Sequence, residues 1–166
     1  MSDLFRYLKK QFNNRPDTEH QQAIVRLSIA ALILIYLLGL QWLDNSNGEN
    51  DNFVISVILL ESLVGLFLLF AIAMQPGISH TRRCIGMVAD YLTLAIFLSI
   101  KGEILSPLYV VLLWVTIGNG LRYGTGYLLA AIGLSLAAFG SAVITEPFWR
   151  SIPHLTFGLV VGLIAI

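Results

Sequence analysis

The chain has 166 residues, 57% hydrophobic and only 12% charged, with a formal net charge of zero. Soluble domains carry about 25% charged residues and must expose much of their surface, so a small soluble core cannot account for this composition, whereas lipid as solvent can. The balanced charge suggests neither nucleic acid nor an acidic substrate. The single cysteine, Cys84, excludes an internal disulfide and a cysteine-based metal cluster.

Residues 1–22 form a polar, mixed-charge segment that does not read as a signal peptide. Leu4, Phe5, Leu8 and Phe12 fall at helical spacing among Arg6, Lys9 and Lys10, predicting a short amphipathic helix on the membrane surface. Pro16 ends it, and Asp17 or Thr18 is placed to cap the next helix. A spanning helix needs about 20 mostly apolar residues. By that measure, residues 23–166 read as an all-α integral membrane bundle.

The first span is 23–43, with Trp42 as an interfacial anchor, and a short acidic gap follows at 44–51. The second is 53–74 and carries Glu61; a basic gap at 75–83 leads to the third, 84–100, which carries Asp90. After a tight gap at 101–103, the run 104–118 contains Pro107 and is short for a span. A glycine-rich gap at 119–126 holds Arg122 and precedes the fifth span, 127–144. The gap 145–153 offers Phe148 and Trp149 as interface anchors, and a last apolar run starts at His154. Thirteen residues do not cross a bilayer, so the expectation is that the natural protein continues beyond Ile166.

The count is about six spans, or five if 104–118 is re-entrant. With six spans and the N-terminus inside, Lys and Arg divide eight inside to two outside. The positive-inside rule then puts both ends in the cytoplasm. With five, the ends lie on opposite sides. No internal repeat supports an inverted-repeat transporter.

Glu61 and Asp90 are acids deep in apolar runs. Such residues face the bundle interior, as functional groups or as polar glue between helices. His80, Arg82 and Arg83 open the third helix, either as a positive-inside anchor with Ser79 as cap or as a contact for a lipid headgroup or carboxylate. The run 114–124 (Trp114, Asn119, Arg122, Tyr123) is read as two glycine-flanked turns, forming a tight helix–helix turn or a ligand or signal-coupling site. Gly133, Ala137 and Ser141 make a small-residue stripe, and Gly158 and Gly162 a G-x-x-x-G; both suit close helix packing, within the bundle or in a homodimer. His20 and His154 lie near helix starts. No metal-ligand spacing and no nucleotide-binding or hydrolase motif occurs, so no metal or cofactor is expected in this stretch.

These motifs resemble the N-terminal membrane input domain of the RpfC-type hybrid sensor histidine kinases. The matching residues are Glu19, His20, Gln22 and Arg26; Glu61; Ser79 to Tyr91; Gly102 to Tyr109; Trp114 to Leu128; and Gly158 to Ala165. They cover nearly the whole chain in order.

The resemblance implies a cytoplasmic phosphoacceptor helix and kinase domain using ATP and Mg, then receiver and phosphotransfer domains, all beyond this stretch. It implies a response regulator downstream and a cis-2-unsaturated fatty acid, used in cell–cell signalling, as ligand. In that family the segment before the first helix is implicated in sensing, which corresponds to the region ending at Glu19 and His20. The family is drawn with five spans and this segment outside, against the six spans and inside placement of the charge count. His20, Arg26, Arg82, Arg83 and Arg122 are then the candidates to meet a ligand carboxylate. A small transporter using Glu61 and Asp90, or a passive membrane anchor, are the alternative readings.

Overall fold

A computed structural model describes residues 19–44, 49–75 and 77–166. The expected amphipathic N-terminal helix therefore lies outside the described residues. Among those residues the fold is all-α. The helices are α1 (Glu19–Asp44), α2 (Glu49–Met74), α3 (His80–Ile100), α4 (Gly102–Leu105), α5 (Tyr109–Tyr123), α6 (Thr125–Thr145), α7 (Pro147–Ser151) and α8 (Pro153–Ile164). A 3-10 turn, Ser106–Leu108, links α4 to α5.

Among the described residues, five stretches are long and apolar enough to cross a membrane: Glu19–Trp42, Asn52–Met74, His80–Ile100, Gly102–Tyr123 and Thr125–Thr145. The run read from 104 to 118 thus extends at both ends. Pro107, which cannot donate a backbone hydrogen bond, sits in the 3-10 turn, where that loss is tolerated. α8 is apolar, but its 12 residues rise only about 18 Å against a core of about 30 Å.

The chain divides into two compact units at Gly86 and Met87. In the first, α1 packs along α2. α1 buries Glu19, Ala23, Ala30, Ile33 and Leu37, and α2 buries Val54, Ile58, Glu61, Leu68 and Ile72. Arg26 and Gly65 complete the two rows, which alternate three and four residues. That is the 3.5-residue period of a coiled-coil seam, so each helix keeps one stripe on its partner. The opposite faces, with Leu32, Ile35, Leu63 and Phe67, are exposed as a lipid-facing surface must be.

The second unit packs α5 on α6 and closes with α7 and α8 against α6. Lipid is as apolar as leucine, so specificity here must come from close packing and hydrogen bonds. Trp149 supplies both. It was expected as an interface anchor and is instead 1% exposed. Its Nε1 donates to the carbonyl of Leu98 at 2.9 Å, and its own carbonyl accepts from Thr156 Oγ1 at 2.6 Å. A chain of edge-on rings runs Tyr109–Phe139–Trp149–Phe148, with centroids 5.0–5.1 Å apart. Gly102 makes room for this: a Cβ there would lie 2.7 Å from Trp149 Nε1 and 2.7 Å from Glu146 Cγ.

The run 114–124 differs from its expectation. Trp114 to Tyr123 is continuous helix, and the chain turns only at Gly124, whose φ of 91° favours glycine. Glycines inside membrane helices do not break them as they would in water, because the backbone has no water to turn to.

Candidate functional site

α1 opens on an acid. The Glu19 carboxylate is buried and accepts hydrogen bonds from three residues at the start of α3. Arg83 Nε donates to Oε1 at 2.8 Å, and the Ser79 backbone N–H donates to the same oxygen at 3.1 Å. Arg82 donates to Oε2 through Nη2 at 3.0 Å and Nε at 3.3 Å. The Ser79 hydroxyl accepts weakly from the Arg82 N–H at 3.4 Å, as expected for a cap.

The helix ends sharpen this arrangement. The Glu19 charge sits at the N-terminus of α3, where free N–H groups favour an anion. Arg82 also reaches the carbonyls of Gln75 and Gly77 beyond the C-terminus of α2, where a cation is favoured. One carboxylate and two guanidiniums thus fasten the start of α1 to the end of α2 and the start of α3. His80 to Arg83 lie inside helix α3, rather than in the gap before it.

One heptad further along α1, Arg26 faces Glu61 of α2. Arg26 Nε lies 3.7 Å from Glu61 Oε1, and the side chains are 8% and 7% exposed. At that distance the contact is an ion pair rather than a short hydrogen bond. The Arg26 side chain passes Gly65 of α2, with Cδ 3.6 Å from where a Cβ would stand. Its guanidinium lies on Gly86 of α3, where a Cβ would come within 2.5 Å of both terminal nitrogens.

The second unit holds a smaller polar cluster. The Tyr91 hydroxyl and Thr116 Oγ1 are 2.9 Å apart, and Thr116 donates to the Leu112 carbonyl at 2.8 Å. Asn119 is buried and donates to the Val115 carbonyl at 2.8 Å.

Of the residues singled out in the sequence, Glu19, Arg82 and Arg83 come together, as do Arg26 and Glu61. His20 is half-buried on α1, Asp90 half-buried on α3 and His80 exposed. Trp114 is exposed on α5, away from Asn119. Arg122 folds back over Gly118, with Nη1 3.6 Å from its Cβ position, and Tyr123 stacks near Tyr127 at 5.1 Å. Gly133, Ala137 and Ser141 are exposed, so the buried stripe of α6 is Ala131, Ser135, Ala138, Phe139 and Ala142 instead. Gly158 is exposed, while the Cβ position of Gly162 lies 4.0 Å from the Tyr109 hydroxyl, which donates to the Leu159 carbonyl. Reading residue types alone missed Gly65, Gly86 and Thr116. The clue for the glycines was their place in α2 and α3, the helices that approach Arg26.

The fold and the buried charge pairs define a multi-pass membrane bundle whose first helix is fastened by charge to its neighbours. Comparison with known proteins then gives its relatives. The chain is 42% identical over 160 residues, 96% of its length, to the sensory/regulatory protein RpfC of Xanthomonas campestris pv. campestris, in two strains. It spans 22% of the length of these curated relatives. The resemblance to RpfC-type proteins is therefore real homology over nearly the whole chain, confined to one segment of the relatives. No family model and no solved structure matches.

Proposed function

We propose that this chain is the transmembrane sensory input segment of a two-component sensor histidine kinase, receiving a fatty-acid-type signal and relaying it to a cytoplasmic kinase. The observation that carries this reading is the 42% identity to a sensory/regulatory protein along 96% of the chain. In the full-length protein, the kinase would use ATP and Mg and pass phosphate to a response regulator. The protein would work as a homodimer in a bacterial inner membrane.

The chemistry is compatible with such a ligand. A fatty acid partitions into the bilayer, and its tail can lie along apolar helix faces. Its carboxylate needs a cation or donor at the membrane edge. Arg82 and Arg83 already hold Glu19, so a ligand carboxylate meets them only by displacing an internal one. Arg26 is likewise paired with Glu61, and His20 and Arg122, the latter half-buried in the last turn of α5, are the further candidates. Ligand binding can shift the helices only through different affinity for two packings. The transporter reading is weaker, because Glu61 is engaged with Arg26.

The test is binding of a labelled cis-2-unsaturated fatty acid to the chain in nanodiscs, with the saturated analogue as competitor. Saturable binding that discriminates against the analogue is expected. Binding that is absent, or indifferent to the double bond, would move the weight to another signal or to the anchor reading.

A further inference from the structure

Arg26 is an unusual residue to find seven positions into a spanning helix. A cation at that depth is costly unless it is matched, and it normally reaches towards the nearer surface. Helical side chains tilt towards the N-terminus of their helix, and that direction brings the Arg26 guanidinium to the beginning of α3. There the surface of α3 is Gly86. The ideal Cβ position at Gly86 is 2.5 Å from Nη1, 2.5 Å from Nη2 and 2.9 Å from Cζ. The guanidinium occupies the space a side chain would take. Glu61 supplies the counter-charge from α2, and Gly65 gives the Arg26 stem its passage.

We propose that Arg26, Glu61 and the Gly86 notch form a latch that sets the pose of α1 in the first unit. Its two states are guanidinium seated on Gly86 and guanidinium released. Three observations bear on the seated state. With the guanidinium seated, Gly86 has no room for a methyl, and the far end of Arg26 is what must yield to one. The ion partner stands on a different helix from the notch, so the guanidinium is held only when both helices are in place. The Glu19 clasp lies on the same stripe of α1, one heptad away, with buried Ala23 between the two. Release therefore opens the stripe at Ala23. That this latch serves signalling rests on the sensory reading; that it exists does not.

The test uses cysteine reactivity of the full chain in bacterial membrane vesicles, in a Cys84→Ser background with Ala23→Cys as reporter and a water-soluble methanethiosulfonate as probe. With the latch intact, the reporter is buried and labels slowly. Gly86→Ala is expected to expel the guanidinium and raise the labelling rate at least tenfold. Arg26→Ala removes the guanidinium altogether and should raise the rate as far, and adding Gly86→Ala to it should change the rate by no more than about twofold, because no guanidinium is left to expel. Should Gly86→Ala alone fail to accumulate, the rate of Arg26→Ala carries the test. A rate unchanged by either single variant overturns the latch. So does a further rise when Gly86→Ala is added to Arg26→Ala, because the methyl and not the guanidinium would then be responsible. Output of the full-length receptor is a separate readout: if labelling behaves as expected while output is unaffected, the latch stands and the sensory reading fails.

Discussion

The Arg83 Nε and the Glu19 Oε1 lie 2.8 Å apart although sixty-four positions separate them in the chain. Together with Arg82, this contact closes the first unit at one end, and removing either charge leaves the other buried.

Glu19→Gln keeps the shape of the side chain and removes its charge. Two nearly buried guanidiniums then lose their counter-ion, a situation that costs about 3–5 kcal/mol for a broken buried pair. The expected result is a clear fall in the thermal midpoint of the purified chain in lipid. Arg83→Gln alone should cost less, because Arg82 still serves the carboxylate.

The charge contacts of the first unit are screened from water. The Debye length drops from about 14 Å to about 4 Å between 0.05 and 0.5 M salt, but this acts on exposed charges. The thermal midpoint is expected to stay nearly constant over that range. A steep loss with salt would show that Glu19 and Arg26 reach solvent.

In the second unit, Gly102→Ala drives a methyl group against Trp149 Nε1 and Glu146 Cγ. Overpacking of this kind costs about 1–3 kcal/mol. Trp149→Phe removes the hydrogen bond to Leu98 and costs about 1–2 kcal/mol from the orphaned carbonyl and the lost ring. The combined variant should be less damaged than the sum, since the smaller ring leaves room for the methyl. Denaturation of all three variants in the same detergent checks this.

Gly124→Ala is expected to lower stability by about 1–2 kcal/mol, although nothing crowds its Cβ position, because the positive φ strains any other residue. Gly126→Ala, two residues on in ordinary helix, also has open space around it and should be neutral or slightly stabilising.

The spans were legible in the sequence because length and hydropathy are set by bilayer thickness. Which face of each span is buried was not. In water an amphipathic stripe shows which residues turn inward, but here Leu32 and Ile35, which face outward, are as apolar as Ile33 and Leu37, which face inward. The heptad seam of α1 and α2 becomes visible only once the helices are paired. Residue type did mark Glu19, Arg26, Glu61, Arg82 and Arg83, because charge near lipid is expensive wherever it occurs. Their pairing joins residues tens of positions apart, and no local pattern encodes that. Trp149 was misread because a tryptophan beside a helix end looks the same whether it meets headgroups or a notch such as Gly102. The run 114–124 was misread because its glycines break helices in water and do not do so here.

The ion pair at the heart of the first unit also constrains how the protein is made. Arg26 leaves the ribosome thirty-five residues ahead of Glu61, a delay of about 2–7 s at ordinary rates of protein synthesis. For that interval the first helix carries a cation with no acid to meet it. Lateral release into lipid is then most favourable as a hairpin with α2, so mutating Glu61, a residue not yet synthesised when α1 emerges, should hold back insertion of the helix before it.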